Sequence, residues 1–309
     1  MNEDLEHVRC ALCGGSEAEV LSYGKNGRQI VKCRCDGLVY MSPRPRTPHL
    51  RTFHTSFVRE NNLELFDGYR QSVLQREARI IKKSKPSGNL LDIGCATGTL
   101  FENFQDSNWR LFGVDTSSLG IGIIRAKYNA QAFCGTLQEA GYPHGFFDVI
   151  TCLDTLYYCP DPKAELGEVY RILKDDGLLA VEVPGFTYTL VREKGPICWV
   201  LDRKWTRGFE DSYHLFYFSP ASIRLLLRRA GFHILEMVPE QASRARGGAL
   251  AALNQAHFAL ARLLFRASAG RISIAGKELY LATKAVCAPA AHSTTKDAPE
   301  APDERRCLR

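Results

Sequence analysis

The chain lacks a long apolar run. None of its 309 residues belongs to an uninterrupted apolar stretch of about 18, the length that a bilayer-spanning helix needs. The opening MNEDLEHVRC is acidic and lacks the apolar core of a secretory signal, so a cytoplasmic protein with reduced thiols is expected. A strong charge imbalance is lacking as well: 40 Lys+Arg stand against 34 Asp+Glu, a net +6. That mild excess does not mark a nucleic-acid binder. No internal repeat is visible. With 45% hydrophobic and 24% charged residues, the chain is neither collagen-like nor fully disordered, and its length suits about two domains.

Cysteine is not scarce. There are eleven, an odd number, and most are scattered through apolar runs where a reduced thiol packs as a small hydrophobe. Four are concentrated near the start. Cys10-x-x-Cys13 on a tight turn is a half-site for tetrahedral zinc, and Cys33 and Cys35 follow after 19 intervening residues. The second half is irregular. Either Cys35 or Asp36 completes the site, since zinc accepts thiolate and carboxylate. The plainer alternative is a metal-free loop with free thiols. Residues 1–48 read as a small module that ends in the extended stretch Ser42-Pro43-Arg44-Pro45-Arg46. Residues 49–87 read as a helical connector, with a helix over 68–83.

From residue 88 the rhythm changes. Short apolar runs at 89–93, 110–114, 130–134, 146–152 and 178–183 alternate with helical patterns at 100–104, 121–128 and 163–173. Ser219-Pro220 caps a further helix, 232–238 and 277–283 read as strands, and 241–275 reads as helical. Such alternation predicts an α/β fold, a parallel sheet with helices on both faces, over 88–285. Insertions are expected at 186–218, which is rich in aromatics, and at 241–275. Residues 286–309 are Pro/Ala/charged and read as a disordered tail.

Leu90-Leu91-Asp92-Ile93-Gly94-Cys95-Ala96-Thr97-Gly98 is the sharpest signal. A strand enters a glycine turn and then a helix, so backbone can approach a ligand and helix N–H groups are free to meet it. A dinucleotide fingerprint would carry another glycine, and Asp92 would repel a pyrophosphate while favouring a cation. Asp115 ends the next strand, where an acid can accept both hydroxyls of a ribose. A nucleoside joined to an amine or cation fits both acids.

These residues, with FGVDTS, FDVITCLDTLYYCPDP, RILKDDGLLAVEVP and HLFYFSPASIRLLLRRAGF, resemble the class I S-adenosylmethionine-dependent methyltransferases over residues 88–284. The resemblance implies a Rossmann-like seven-stranded sheet in the order 3-2-1-4-5-7-6, the last strand antiparallel. It also implies cofactor roles. Asp92, Gly94, Cys95, Ala96 and Gly98 would line the methionyl part, and Asp115 the ribose, with Thr116 beside it. Gly135, Thr136 and Leu137 would lie near the adenine. Leu153 and Asp154 would face the methionyl part and the acceptor, and Tyr69 would close over the cofactor. Two departures stand out. Ala96 replaces the usual third-position glycine, and Tyr158 stands where a His often acts as base. A phenol of pKa about 10 is a poorer base near neutrality than imidazole. His214, in the aromatic insertion, is the alternative base, or else it only pins its loop. The block CALCG…CRCDGLVYMSPRP resembles zinc-ribbon modules that precede some of these enzymes, with Cys10, Cys13, Cys33 and Cys35 or Asp36 as ligands.

The expected function is methylation of a small molecule or glycan, at oxygen or carbon, with S-adenosylmethionine as cofactor and structural zinc. An RNA methyltransferase and a non-catalytic cofactor-binding scaffold are the alternatives. Against RNA stand the missing Asn/Asp-Pro-Pro-Tyr motif and the want of a basic-aromatic strip. Residues 221–271 carry eight arginines and two glutamates. Within them, 249–266 is too short and too polar to span a bilayer. It reads first as a helical lid or dimer contact, and second as a helix lying on a membrane surface.

Overall fold

The computed structural model describes residues 4–47, 50, 63–189, 214–241 and 248–285. The apolar run Gly88–Ile93 forms β6, whose Leu90, Leu91, Asp92 and Ile93 are all buried. A strand covered on both faces needs such a run, and β6 lies in the interior of the sheet. Around it are β7 (Trp109–Asp115), β8 (Ala130–Cys134), β9 (Phe147–Leu153), β10 (Leu173–Pro184), β12 (Phe232–Glu240) and β13 (Lys277–Lys284). Their spatial order is β12-β13-β10-β9-β6-β7-β8. The first five strands of this sheet, β6 to β10, pair in parallel, and β13 runs antiparallel to both β10 and β12. Counted from β6, this is the expected order 3-2-1-4-5-7-6, with the last strand reversed.

The helices start where the sequence supplies oxygen caps. In α2 (Ser118–Lys127) the Ser117 hydroxyl accepts from the Gly120 N–H, and in α3 (Leu137–Ala140) Thr136 and Glu139 form a reciprocal capping box. Asp161 caps α4 (Pro162–Ile172) and Ser219 caps α5 (Pro220–Arg229), each followed by a proline at the first helical position. The connector helix α1 (Leu63–Ser84) begins earlier than the predicted 68–83. The stretch expected as a helix at 100–104 is a 3-10 turn, Thr99–Phe104, and α6 spans Gly248–Ala267. The tail at 286–309 and most of the aromatic insertion, 190–213, lie outside the described residues.

The N-terminal part forms β1 (Leu5–Glu6), β2 (Ala18–Tyr23), β3 (Gln29–Cys33), β4 (Val39–Met41) and β5 (Arg44–Pro45). Its sheet does not close on itself. β11 (Phe216–Tyr217), from the end of the aromatic insertion, pairs antiparallel with β4, giving the order β11-β4-β3-β2. One apolar cluster runs from Cys10, Leu12 and Leu38 through Phe216 and Phe218 to Ile150 and Val181 of the large sheet. The Leu12 carbonyl accepts from Lys163 Nζ at 3.0 Å and from Arg229 Nη1 at 2.6 Å, and the Pro160 carbonyl accepts from Arg44 Nη1 at 2.9 Å.

Candidate active site

A cavity of about 510 Å3 opens at the carboxyl ends of β6, β7 and β9. That is where the open α/β fold places ligands. Its lining falls into two halves.

The first half is mostly backbone. Gly94 and Gly98 have φ of 72° and 79°, and Ala96 takes 46°, a left-handed turn unusual for a residue with a side chain. A Cβ added at Gly94 would collide with the Thr155 hydroxyl, so glycine is required there. Asp115, at the end of β7, is held in place by its own neighbours. Its Oδ2 accepts from the Ala96 N–H at 2.9 Å and its Oδ1 from the Ser117 N–H at 2.8 Å. Each oxygen keeps a second lone pair for a ligand hydroxyl. Burial raises the Asp115 carboxyl above its ordinary range, against the pull of the two N–H donors. Thr116, Gly135, Thr136, Leu137 and Leu153 continue the wall.

Three expected cofactor residues stand behind this wall. Asp92 is buried, and its Oδ1 accepts from the Thr151 hydroxyl at 2.7 Å. Burial pushes its carboxyl up to about 7. Cys95 turns into the core beside Phe101, and Gly98 starts the 3-10 turn against Ile124 and Tyr128. Neither they nor Asp92 line the cavity. Tyr69 lies on α1, but its side chain is outside the described residues.

The second half is made of side chains. Asp154, which follows β9 with φ 56°, meets Arg70 Nη1 at 2.9 Å, is paired with Lys277, and accepts from the Tyr157 hydroxyl at 3.2 Å. Lys277 Nζ also reaches Glu182 Oε1 at 2.9 Å. Behind Glu182 lies Glu77 of α1, and both are fully buried. Burial and the Glu182 charge hold the Glu77 carboxyl well above its usual range. Burial would raise Asp154 too, but Lys277 and Arg70 outweigh it and hold Asp154 well below the usual range. Arg70 and Asp154 line the cavity floor, and Lys277 and Glu182 join them from behind in a buried cluster of two cations and two carboxylates.

Tyr158 lines the cavity, as do Thr47 and Leu50. Burial and the Asp154 charge push its phenol up, which makes it a proton donor rather than a base. His214 is outside the lining of the described cavity. Its ring packs against Tyr157 and Tyr158, with centroids 4.5 and 5.1 Å apart, and the Leu215 N–H donates to the Tyr157 carbonyl at 2.9 Å. The sequence reading missed Arg70, Lys277, Glu182, Thr47 and Leu50. A signal existed for Glu182, a lone carboxylate inside the buried run Leu178–Val183.

At the N-terminal end, Cys10, Cys13, Cys33 and Asp36 bring their ligand atoms within 4.8 Å of one another. Cys10 Sγ is 3.1 Å from Asp36 Oδ2, and Cys13 Sγ is 3.5 Å from Cys33 Sγ. Each sulfur accepts a backbone N–H two residues ahead: Leu12 to Cys10, Gly15 to Cys13 and Cys35 to Cys33, at 3.3–3.4 Å. That pattern answers which residue takes the fourth place. Position i+2 of the turn supplies the N–H and position i+3 the ligand atom. Cys35 occupies i+2, stays outside the group and is disulfide-bonded, against the expected reduced thiols, while Asp36 occupies i+3. Three sulfurs and a carboxylate in this arrangement suit zinc.

Residues 66–237, more than half of the chain, match the family described as a methyltransferase domain. Among curated relatives, the probable methyltransferase ltbC of Aspergillus luteorubrus is 29% identical over 173 residues, covering 48% of this chain and 58% of its own length. The ubiquinone biosynthesis O-methyltransferase of Aromatoleum aromaticum is 24% identical over 161 residues, covering 48% of this chain and 65% of its own. The chain thus spans less than two thirds of either relative. A solved structure of Burkholderia thailandensis 1,6-didemethyltoxoflavin-N1-methyltransferase, with 1,6-didemethyltoxoflavin and S-adenosylhomocysteine bound, has a TM-score of 0.51 at 14% identity, over 87% of this chain and 99% of that one. It shares the fold.

Proposed function

The chain belongs to the methyltransferase domain family, as a class I S-adenosylmethionine-dependent member, and from that premise we propose that it methylates a small molecule or glycan at oxygen or carbon. The observation that carries the reading is Asp115. Its carboxylate is fixed by two N–H groups at the mouth of the Gly94–Gly98 turn, with lone pairs left for ribose hydroxyls. Asp92, behind the turn, contributes to the field there rather than direct contact. Thr116 would lie beside the ribose, Gly135, Thr136 and Leu137 near the adenine, and Leu153 and Asp154 would face the methionyl part.

Bound S-adenosylmethionine supplies an electrophilic methyl group on its sulfonium, so the protein has to align the acceptor and exclude water. Tyr158 donates a hydrogen bond to the acceptor and orients it. His214, packed on Tyr157 and Tyr158, holds that wall from behind and is the imidazole we assign to it as a base. Asp154, locked by Lys277 and Arg70, is no base at neutral pH. We assign structural zinc to Cys10, Cys13, Cys33 and Asp36. The acceptor is sought by incubating the chain with isotopically labelled S-adenosylmethionine and separate panels of phenols, sugars and RNA. Label in a phenol or sugar supports the reading. Label confined to RNA would replace it.

A further inference from the structure

Helix α6 carries apolar residues on the side that faces solvent. Ala252, Ala256, Ala259, Leu260, Leu263 and Ala267 are all exposed, Leu260 by 49% and Leu263 by 63%. At 3.6 residues per turn they fall within an arc of about 100°. Ile272, just beyond the helix, is 53% exposed. The inward side is separately satisfied: Ala261 is buried, and the Phe258 ring lies under the Arg76 guanidinium of α1 at 5.3 Å. A surface helix normally needs only one apolar face. The second is unexplained by the packing of this chain.

The charges around that face have one sign. The sequence Gly248–Ala267 contains no Asp or Glu. Arg262 and Arg266 border the arc, exposed Arg271 adjoins Ile272, and Arg244 and Arg246 precede the helix in the sequence. A second copy set face to face would bring like charges together, whereas an anionic lipid surface neutralises them. No helix among the described residues is long and apolar enough to cross a membrane. The helix also sits at the edge of the fold that holds the cavity. It follows Glu240, which ends β12, and precedes Lys277, which starts β13 and contacts Asp154.

We propose that the outer face of α6 docks this chain on an anionic lipid bilayer, the helix lying in the interfacial plane with Leu260, Leu263 and Ile272 among the acyl chains and the arginines at the headgroups. The proposal is independent of the methyl-transfer reading. It is tested by floating the full chain with vesicles of phosphatidylcholine alone, or with a third of the lipid replaced by phosphatidylglycerol. The chain is expected to float with the anionic vesicles and not with the neutral ones. Leu260→Ser with Leu263→Ser abolishes flotation, and Arg266→Gln with Arg271→Gln weakens binding by about fivefold per arginine. All these residues are exposed, so the circular dichroism spectrum and melting temperature stay those of the parent. Three results would overturn the proposal: failure to bind anionic vesicles, binding untouched by the leucine substitutions, or a solution dimer that those substitutions split.

Discussion

The two halves of the cavity are built on opposite plans. The half we assign to the cofactor is a strand end, a glycine turn and one acid fixed by neighbouring N–H groups, all within residues 93–117 and 135–137. The half we assign to the acceptor is lined by Arg70 of α1, Asp154 after β9, and Thr47 and Leu50 from the N-terminal part, with Glu182 of β10 and Lys277 of β13 behind them. Backbone held by local hydrogen bonds makes a fixed mould. A cluster of buried charges holds only while every partner is present. The difference teaches where each half is vulnerable, and substitutions can break it from either side.

The largest effect is expected on the acceptor side. Lys277→Met leaves Asp154 and Glu182 short of a cation in a buried site, and should cost about 3–5 kcal/mol of unfolding free energy in urea titration. A loss below 1 kcal/mol would mean that water already screens the cluster. Asp92, behind the cofactor half, is next. Its folded pKa of about 7 lies above the ordinary carboxylate value. The folded chain therefore binds that proton more tightly than the unfolded chain does. Stability is full below about pH 4, falls as the pH rises to 7 and levels off above it, a loss of about 4 kcal/mol. Asp92→Asn should flatten that decline, and urea midpoints across pH 4–8 measure it. Asp154 has the opposite sign and titrates far below this window.

Smaller effects sharpen the comparison. Asp36→Ala should lower zinc affinity by about tenfold or more, whereas Cys35→Ala should leave it unchanged, read from cobalt absorption on metal exchange. Tyr158→Phe should reduce turnover of an acceptor about tenfold and leave S-adenosylmethionine affinity unchanged, since the lost hydroxyl lies in the acceptor half. A loss of cofactor affinity there would erase the boundary between the halves.

The same division decided what could be read from the sequence. Strand β6, its glycine turn and Asp115 are contiguous, and each follows from local rules: an apolar run, residues able to take positive φ, an acid at a strand end. The sheet order came through the resemblance of five sequence blocks. The floor was hidden because Arg70, Lys277 and Glu182 meet only after β13 inserts between β10 and β12, which no local pattern records. Asp36 is the intermediate case. Its i+3 spacing from Cys33 repeats that of Cys13 from Cys10, and the turn geometry then excludes Cys35. His214 drew attention for its chemistry, yet the structure places it behind two tyrosines, a position fixed by β11 pairing with β4.

Calorimetric titration of the zinc-replete chain with S-adenosylmethionine, beside Asp115→Ala, tests the central claim most directly. Saturable one-site binding is expected, weakening about 100-fold in the variant, since two hydrogen bonds to a charged acceptor are lost. No heat of binding by folded protein, or equal affinity in Asp115→Ala, would contradict it.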